Sequence, residues 1–247
     1  MKATAQNFGP DDWLARAVAA ESPEERRACA EEGLAAAAPA EADTEALLWR
    51  ELYLADFALG EYSNALQSAV RGADCGEMVD VFYQDASKAA LAMGKPTMAL
   101  NYLGKATSAA PARRRGFHLW SRGALHYVLG DLPRASFDLR RAVRSEPANE
   151  PLALAHLALV EVSRGNDVKE LQDIVSTLLE SPAREGYGRF VLGHLAYAAA
   201  DTQAAARYLG AFTDYVSGSD GPTRARLSGE LAMTRATLAK MAKLDVA

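Results

Sequence analysis

Apolar residues recur at helical spacing along most of the chain, and the runs are interrupted at nearly even intervals by turn-forming residues. The pattern is clearest over 116–149. There, Leu119, Tyr127, Leu139, Ala142 and Val143 supply apolar surface on two segments joined at Gly130 and Asp131, and Pro147 should stop the second segment. Gly123 and Ala135 are small enough to let the two helices cross closely. One such hairpin cannot bury its own apolar face, so it needs neighbours.

The same plan extends in both directions. A short helix is predicted over 11–20, carrying Trp13, Leu14 and Val18. A second should start at Ser22, Pro23, Glu24 and Glu25, which read as a capping box with Glu25 reaching back, and run to Ala36 before Pro39. Hairpins follow over 43–73, 80–111, 116–149, 150–181 and 186–216, turning at Gly60, Gly94, Gly130, Gly165 and Ala200. The intervals between these turns are 34, 36, 35 and 35 residues. A constant period of this size is the signature of stacked helix pairs. Beyond the breakers Gly218, Ser219, Asp220, Gly221 and Pro222, one long helix is predicted to the end. Its stripe of Leu227, Leu231, Thr234, Leu238 and Met241 would cap the last repeat or else form a homodimer, with Arg224, Glu230, Arg235, Lys240 and Lys243 facing elsewhere.

These residues carry a resemblance to the tetratricopeptide repeat (TPR) family, whose motif combines a large residue, a leucine-small pair, an aromatic, spaced alanines and a closing proline. In the central copy Leu119, Gly123, Ala135, Leu139, Ala142 and Pro147 match, with His126 in place of the usual tyrosine and Arg122 in place of leucine. Ala99, Leu103, Ala106 and Pro111 match in the preceding copy, and Trp49, Leu52, Ala65 and Ala69 in the one before. The copy at 150–181 departs most, because its second helix lacks the paired alanines, and its helix spacing or tilt should differ. The resemblance implies an all-α, right-handed superhelix, a TPR-like solenoid of about six hairpins with a C-terminal capping helix. Residues 1–10 would be a leader, 11–217 the solenoid, and 218–247 the hinge and cap.

In proteins similar to this one, the first helix of each hairpin lines a concave groove. That geometry puts Arg50, Phe57, Gln84, Lys88, Trp120, Tyr127, Phe190, His194 and Tyr197 on or near the groove as partner-binding residues, with inter-repeat core as the other reading of the Phe57, Trp120 and Tyr127 rings. The lysine, asparagine and arginine set with which some members grip a terminal carboxylate is not evident. Aromatic rings replace it and favour a peptide segment or amphipathic helix of a protein partner. The implied function is a non-catalytic adaptor or assembly chaperone. The alternative is a structural scaffold, or a self-associating subunit, that acts through convex and terminal surfaces.

Composition narrows the picture further. The net charge of −5 divides into −6 over residues 1–45, where ten acidic residues meet four basic ones, and +1 over the rest. No nucleic-acid partner is expected on charge alone. Arg113, Arg114, Arg115, Arg134, Arg140, Arg141 and Arg144 gather around the central hairpin, with Asp131, Asp138 and Glu146 interspersed. They read either as a solvated convex face or as a contact for an acidic segment or phosphate. His118, His126, His156 and His194 lack metal-ligand spacing and should be packed or groove-lining, so no metal and no cofactor is expected. No phosphate loop, nucleophile elbow or zincin pattern points to an enzyme. Cys29 and Cys75 read as buried small hydrophobes in a reducing compartment, and the absence of a signal-like or membrane-length apolar run makes a cytoplasmic location the expectation.

Overall fold

A computed structural model describes residues 8–36, 41–145 and 151–244. Pro39, Pro147 and the first seven residues of the expected leader lie outside them. Among the described residues there are fourteen α-helices and no strand. None of these helices is long and apolar enough to cross a membrane. The chain divides into two compact units, residues 1–109 and 110–247, where the sequence had suggested one continuous array over 11–217.

The first unit holds α1 (Pro10–Ala19), α2 (Pro23–Ala35), α3 (Ala42–Ala58), α4 (Tyr62–Asp74), α5 (Val79–Ala92) and α6 (Pro96–Ala109), each packed on the next. Residues 8–10 belong to this body and not to a leader. The Phe8 ring meets Trp13 edge to face at 5.5 Å, the Arg16 guanidinium sits 3.7 Å over Phe8, and α1 begins at Pro10. At α2, Ser22 accepts the expected hydrogen bond from the Glu25 amide, but the Glu25 carboxylate accepts from Glu21 N, not from the cap residue. The core gathers Tyr53 and Phe82 among Ala65, Ala69, Ala86 and Ala89. Cys29 and Cys75 are free and half-buried, more open than expected, and burial raises the Cys75 thiol pKa.

The second unit comprises α7 (Ala112–Val128), α8 (Leu132–Ser145), α9 (Pro151–Ser163), α10 (Leu171–Glu180), a 3-10 turn at Pro182–Arg184, α11 (Tyr187–Ala198), α12 (Thr202–Gly218), α13 (Gly221–Arg226) and α14 (Ser228–Leu244). The terminal segment is therefore two helices, broken at Leu227. Helices α7 and α8, and likewise α11 and α12, pair as hairpins. The close crossing is as the small residues suggested: a Cβ on Gly123 would stand 2.8 Å from Leu139 Cγ and 3.3 Å from the Ala135 carbonyl oxygen. Gly193 stands in the same relation to Leu209 in the later hairpin.

All five expected turns share one geometry. The residue at each has positive φ, namely Gly60, Gly94, Gly130, Gly165 and, without a glycine, Ala200 at +60°. Each is closed by the same two bonds. At the first, Gly60 N donates to Phe57 O and Glu61 N to Asp56 O; at the fifth, Ala200 N donates to Tyr197 O and Asp201 N to Ala196 O. This is the left-handed helix stop that satisfies the last carbonyls of the preceding helix. Five residues beyond each turn, Ala65, Ala99, Ala135 and Ala205 are fully buried. The exception is the fourth hairpin, where Glu170 holds that position with φ +59° and α10 has not yet begun. Apart from its own hairpin partner α12, α11 packs there on α9 and on the 3-10 turn that follows α10.

Candidate binding site

The residues expected to line a groove fall into both units. In the first, Asp85 on α5 is a buried carboxylate held by Lys88 at 2.7 Å, with Arg50 at 3.9 Å. Both cations are thus engaged within the fold, although each side chain keeps part of its surface in solvent. Gln84 is buried. Phe57 is half-buried, stacked on Tyr53 at 5.5 Å and tilted against Tyr62 at 5.4 Å.

In the second unit most of the expected groove is interior. Phe190 is fully buried, and Tyr127 and His194 nearly so. They belong to an aromatic core in which Tyr127 meets Phe190 at 6.2 Å and His156 at 5.4 Å, while Phe190 meets Phe212 at 5.3 Å and His194 at 4.6 Å. These three residues are corrected from groove to core. First helices have two faces to bury, one on their own hairpin and one on the next, and large rings serve the second as well as any groove would. Burial drives the chemistry of this cluster. It pushes the Tyr127 hydroxyl up to about 12 and holds His156 down to about 3 and His194 down to about 4, so both imidazoles are neutral. Tyr197 is half-buried at the end of α11.

The C-terminal segment explains part of this burial. Leu227 joins the Tyr127 and Phe190 cluster, and Gly229 abuts α7 so closely that a Cβ there would lie 2.9 Å from Val128 Cγ1. From that point α14 runs along α12, burying Thr234, Thr237 and Met241 and half-burying Leu231 and Leu238. Glu230, expected to face away, turns instead toward Tyr187, where burial pushes its carboxyl up to about 7.

What stays open is the N-terminal half of α7. Gly116, Phe117 and Trp120, with Ala142 and Val143 of α8 and Leu152 and Ala153 of α9, line a cavity of about 400 Å³. Phe117 is 50% exposed beside Trp120, their rings 6.2 Å apart. Trp120 is half-buried and also meets Tyr187 edge to face at 5.4 Å, yet its Nε1–H is shielded from solvent and has no acceptor. Of the expected residues only Trp120 lines this cavity. Its other walls come from the same helix and the two that follow, α8 and α9, so no single periodic stretch announces them.

The remaining polar clusters act within the fold. Arg122 grips Asp138 with two bonds of 2.6 Å, and Glu161 accepts from Ser136, Asn166 and Arg164 beside Arg140, which together hold its carboxyl down to about 2. Among the described residues no group of three or more His, Cys, Asp or Glu side chains could hold a metal ion. Among the described residues the protein is all-helical, with an open, mainly apolar cavity beside an aromatic core. Its sequence matches no protein-family model, and no curated protein matches it.

Proposed function

We propose that this protein is a non-catalytic binding scaffold of the tetratricopeptide type, an adaptor or assembly chaperone that holds a segment of a partner protein. The observation that carries the reading is the cavity at Phe117 and Trp120, where a half-exposed ring, a half-buried indole and apolar walls stand together. Packing alone does not call for an exposed phenylalanine beside a cavity, whereas ring anchors in apolar pockets carry much of the energy of peptide recognition. The five equal turns and the buried alanines behind four of them support the repeat reading, with the hairpins of each unit stacked as turns of a right-handed superhelix. The alternative is a structural scaffold or self-associating subunit that acts through convex and terminal surfaces; against its use of the C-terminal stripe, α14 packs along α12 and buries Thr234 and Met241.

Selecting random displayed peptides on the full-length chain tests the proposal. Enriched peptides should bind the Phe117→Ala/Trp120→Ala double variant at least about tenfold more weakly, as expected when hot-spot rings are truncated. The circular-dichroism spectrum should be unchanged in the variant. Failure to enrich any peptide, or equal binding to both proteins, would contradict it.

A further inference from the structure

Antiparallel pairing brings the start of α7 and the end of α8 to the same end of their hairpin, opposite the Gly130 turn. Six arginines collect there: Arg113, Arg114 and Arg115 from α7, and Arg140, Arg141 and Arg144 from α8. Over 112–150 eight arginines stand against two aspartates and two glutamates, a net +4 within a chain of −5. Neither aspartate offsets this end. Asp138 is gripped by Arg122, and Asp131 sits at the turn with Arg134 at 3.1 Å.

Of the rim, Arg140 pairs with Glu161 at 3.0 Å and Arg114 is engaged within the fold, so neither is counted as open charge. Arg115 donates to the Ala110 carbonyl at 2.9 Å, which leaves its charge uncompensated. Arg113, Arg141 and Arg144 are exposed, with no carboxylate partner among the described residues, and Arg141 rests 5.4 Å over the Phe137 ring. Helical spacing ties this charge to the cavity. Arg113 lies three, four and seven positions before Gly116, Phe117 and Trp120, on one face of α7, and Arg141 and Arg144 bracket Ala142 and Val143 on α8.

We propose, resting on the reading of this cavity as a partner site, that the segment it takes is an acidic peptide. A bulky apolar side chain enters between Phe117, Trp120, Val143 and Leu152, and flanking carboxylates meet Arg113, Arg115, Arg141 and Arg144. Guanidinium forks suit planar carboxylates, and unpaired like charges around an apolar pocket select partners of opposite sign. A nucleic acid fits less well. The net negative chain opposes a long polyanion.

The test uses the full-length chain and three labelled synthetic peptides that share one Phe-Leu core, flanked by Asp and Glu, by Asn and Gln, or by Lys and Arg. Fluorescence anisotropy should show the acidic peptide binding at least about tenfold tighter than the neutral one. That advantage should shrink as salt rises from ~0.01 M to ~1 M, because screening shortens the reach of charges from about 30 Å to about 3 Å. The exposed-site variant Arg113→Glu/Arg144→Glu should erase the preference with its helical signal intact, and Phe117→Ala/Trp120→Ala should weaken every peptide. Equal binding of neutral and acidic peptides, or indifference to arginine reversal, overturns the acidic preference while leaving the cavity reading in place. No binding by any of the three, or binding indifferent to the Phe117 and Trp120 changes, overturns both. Displacement of the acidic peptide by a short oligonucleotide that itself binds more tightly through the same arginines would reassign the rim to nucleic acid.

Discussion

Ala200 holds a left-handed backbone at the point where the four preceding turns have glycine. For an L-residue with a Cβ that conformation costs roughly 1 to 2 kcal/mol, and glycine avoids most of it. Ala200→Gly should therefore stabilise the second unit by about 1 kcal/mol, and Gly130→Ala should destabilise it by a similar amount. Urea denaturation of both variants checks the pair, and a loss of stability in Ala200→Gly would count against the shared turn geometry. Glu230 supplies a second residue-scale expectation. Burial raises its folded pKa to about 7 from an ordinary 4.5, so the fold prefers it protonated. The stability it contributes is complete below about pH 4.5 and is lost as pH rises through about 7. The buried His156 and His194, held down to about 3 and about 4, act with the opposite sign: their contribution is complete above about pH 6.5 and is lost on acidification toward those values. Glu230→Gln should remove only the first effect, raising the melting temperature at pH 8 relative to the native chain while converging with it near pH 4. Parallel melting curves across that range would contradict the assignment.

Elements were the most legible level in the sequence. Turn glycines, helix-opening prolines and apolar periodicity place the helices within a few residues, because stop geometry and amphipathicity are both local. Ala135, fully buried where α8 crosses Gly123 of α7, makes that crossing testable. Ala135→Leu should overpack it and cost roughly 1 to 3 kcal/mol, and an unchanged melting temperature would argue against the close approach. Less legible was the fourth hairpin, where the missing alanines foretold a departure but not the 3-10 turn beside α11. The C-terminal segment was legible as helical but not in its break at Leu227 or its reach to Val128 of α7. Deleting 223–247 should uncover apolar surface on α12 and promote association. Light scattering should detect it, whereas a monodisperse monomer with an unchanged melting temperature would show that α14 is dispensable.

At the scale of the whole molecule, helical class could be read from periodicity, but the division into two units could not, since the turn interval stays regular across residue 109. The site was legible only in part. Trp120 was named from its position, yet Tyr127, Phe190 and His194 were assigned to a groove that aromatic packing and the folded-back segment at Leu227 and Gly229 fill. Periodicity identifies the helix face a ring occupies but not what packs against that face. The arginines of the central hairpin were visible as a cluster, while their gathering at one open end needed the antiparallel pairing. The account turns on whether the cavity at Phe117 and Trp120 holds a partner segment. The most direct measurement is calorimetric titration of a selected peptide into the native chain and into Phe117→Ala/Trp120→Ala, with folding verified in both. The account predicts at least about a tenfold loss of affinity, equivalent to about 1.4 kcal/mol or more; the same dissociation constant for both proteins would contradict it.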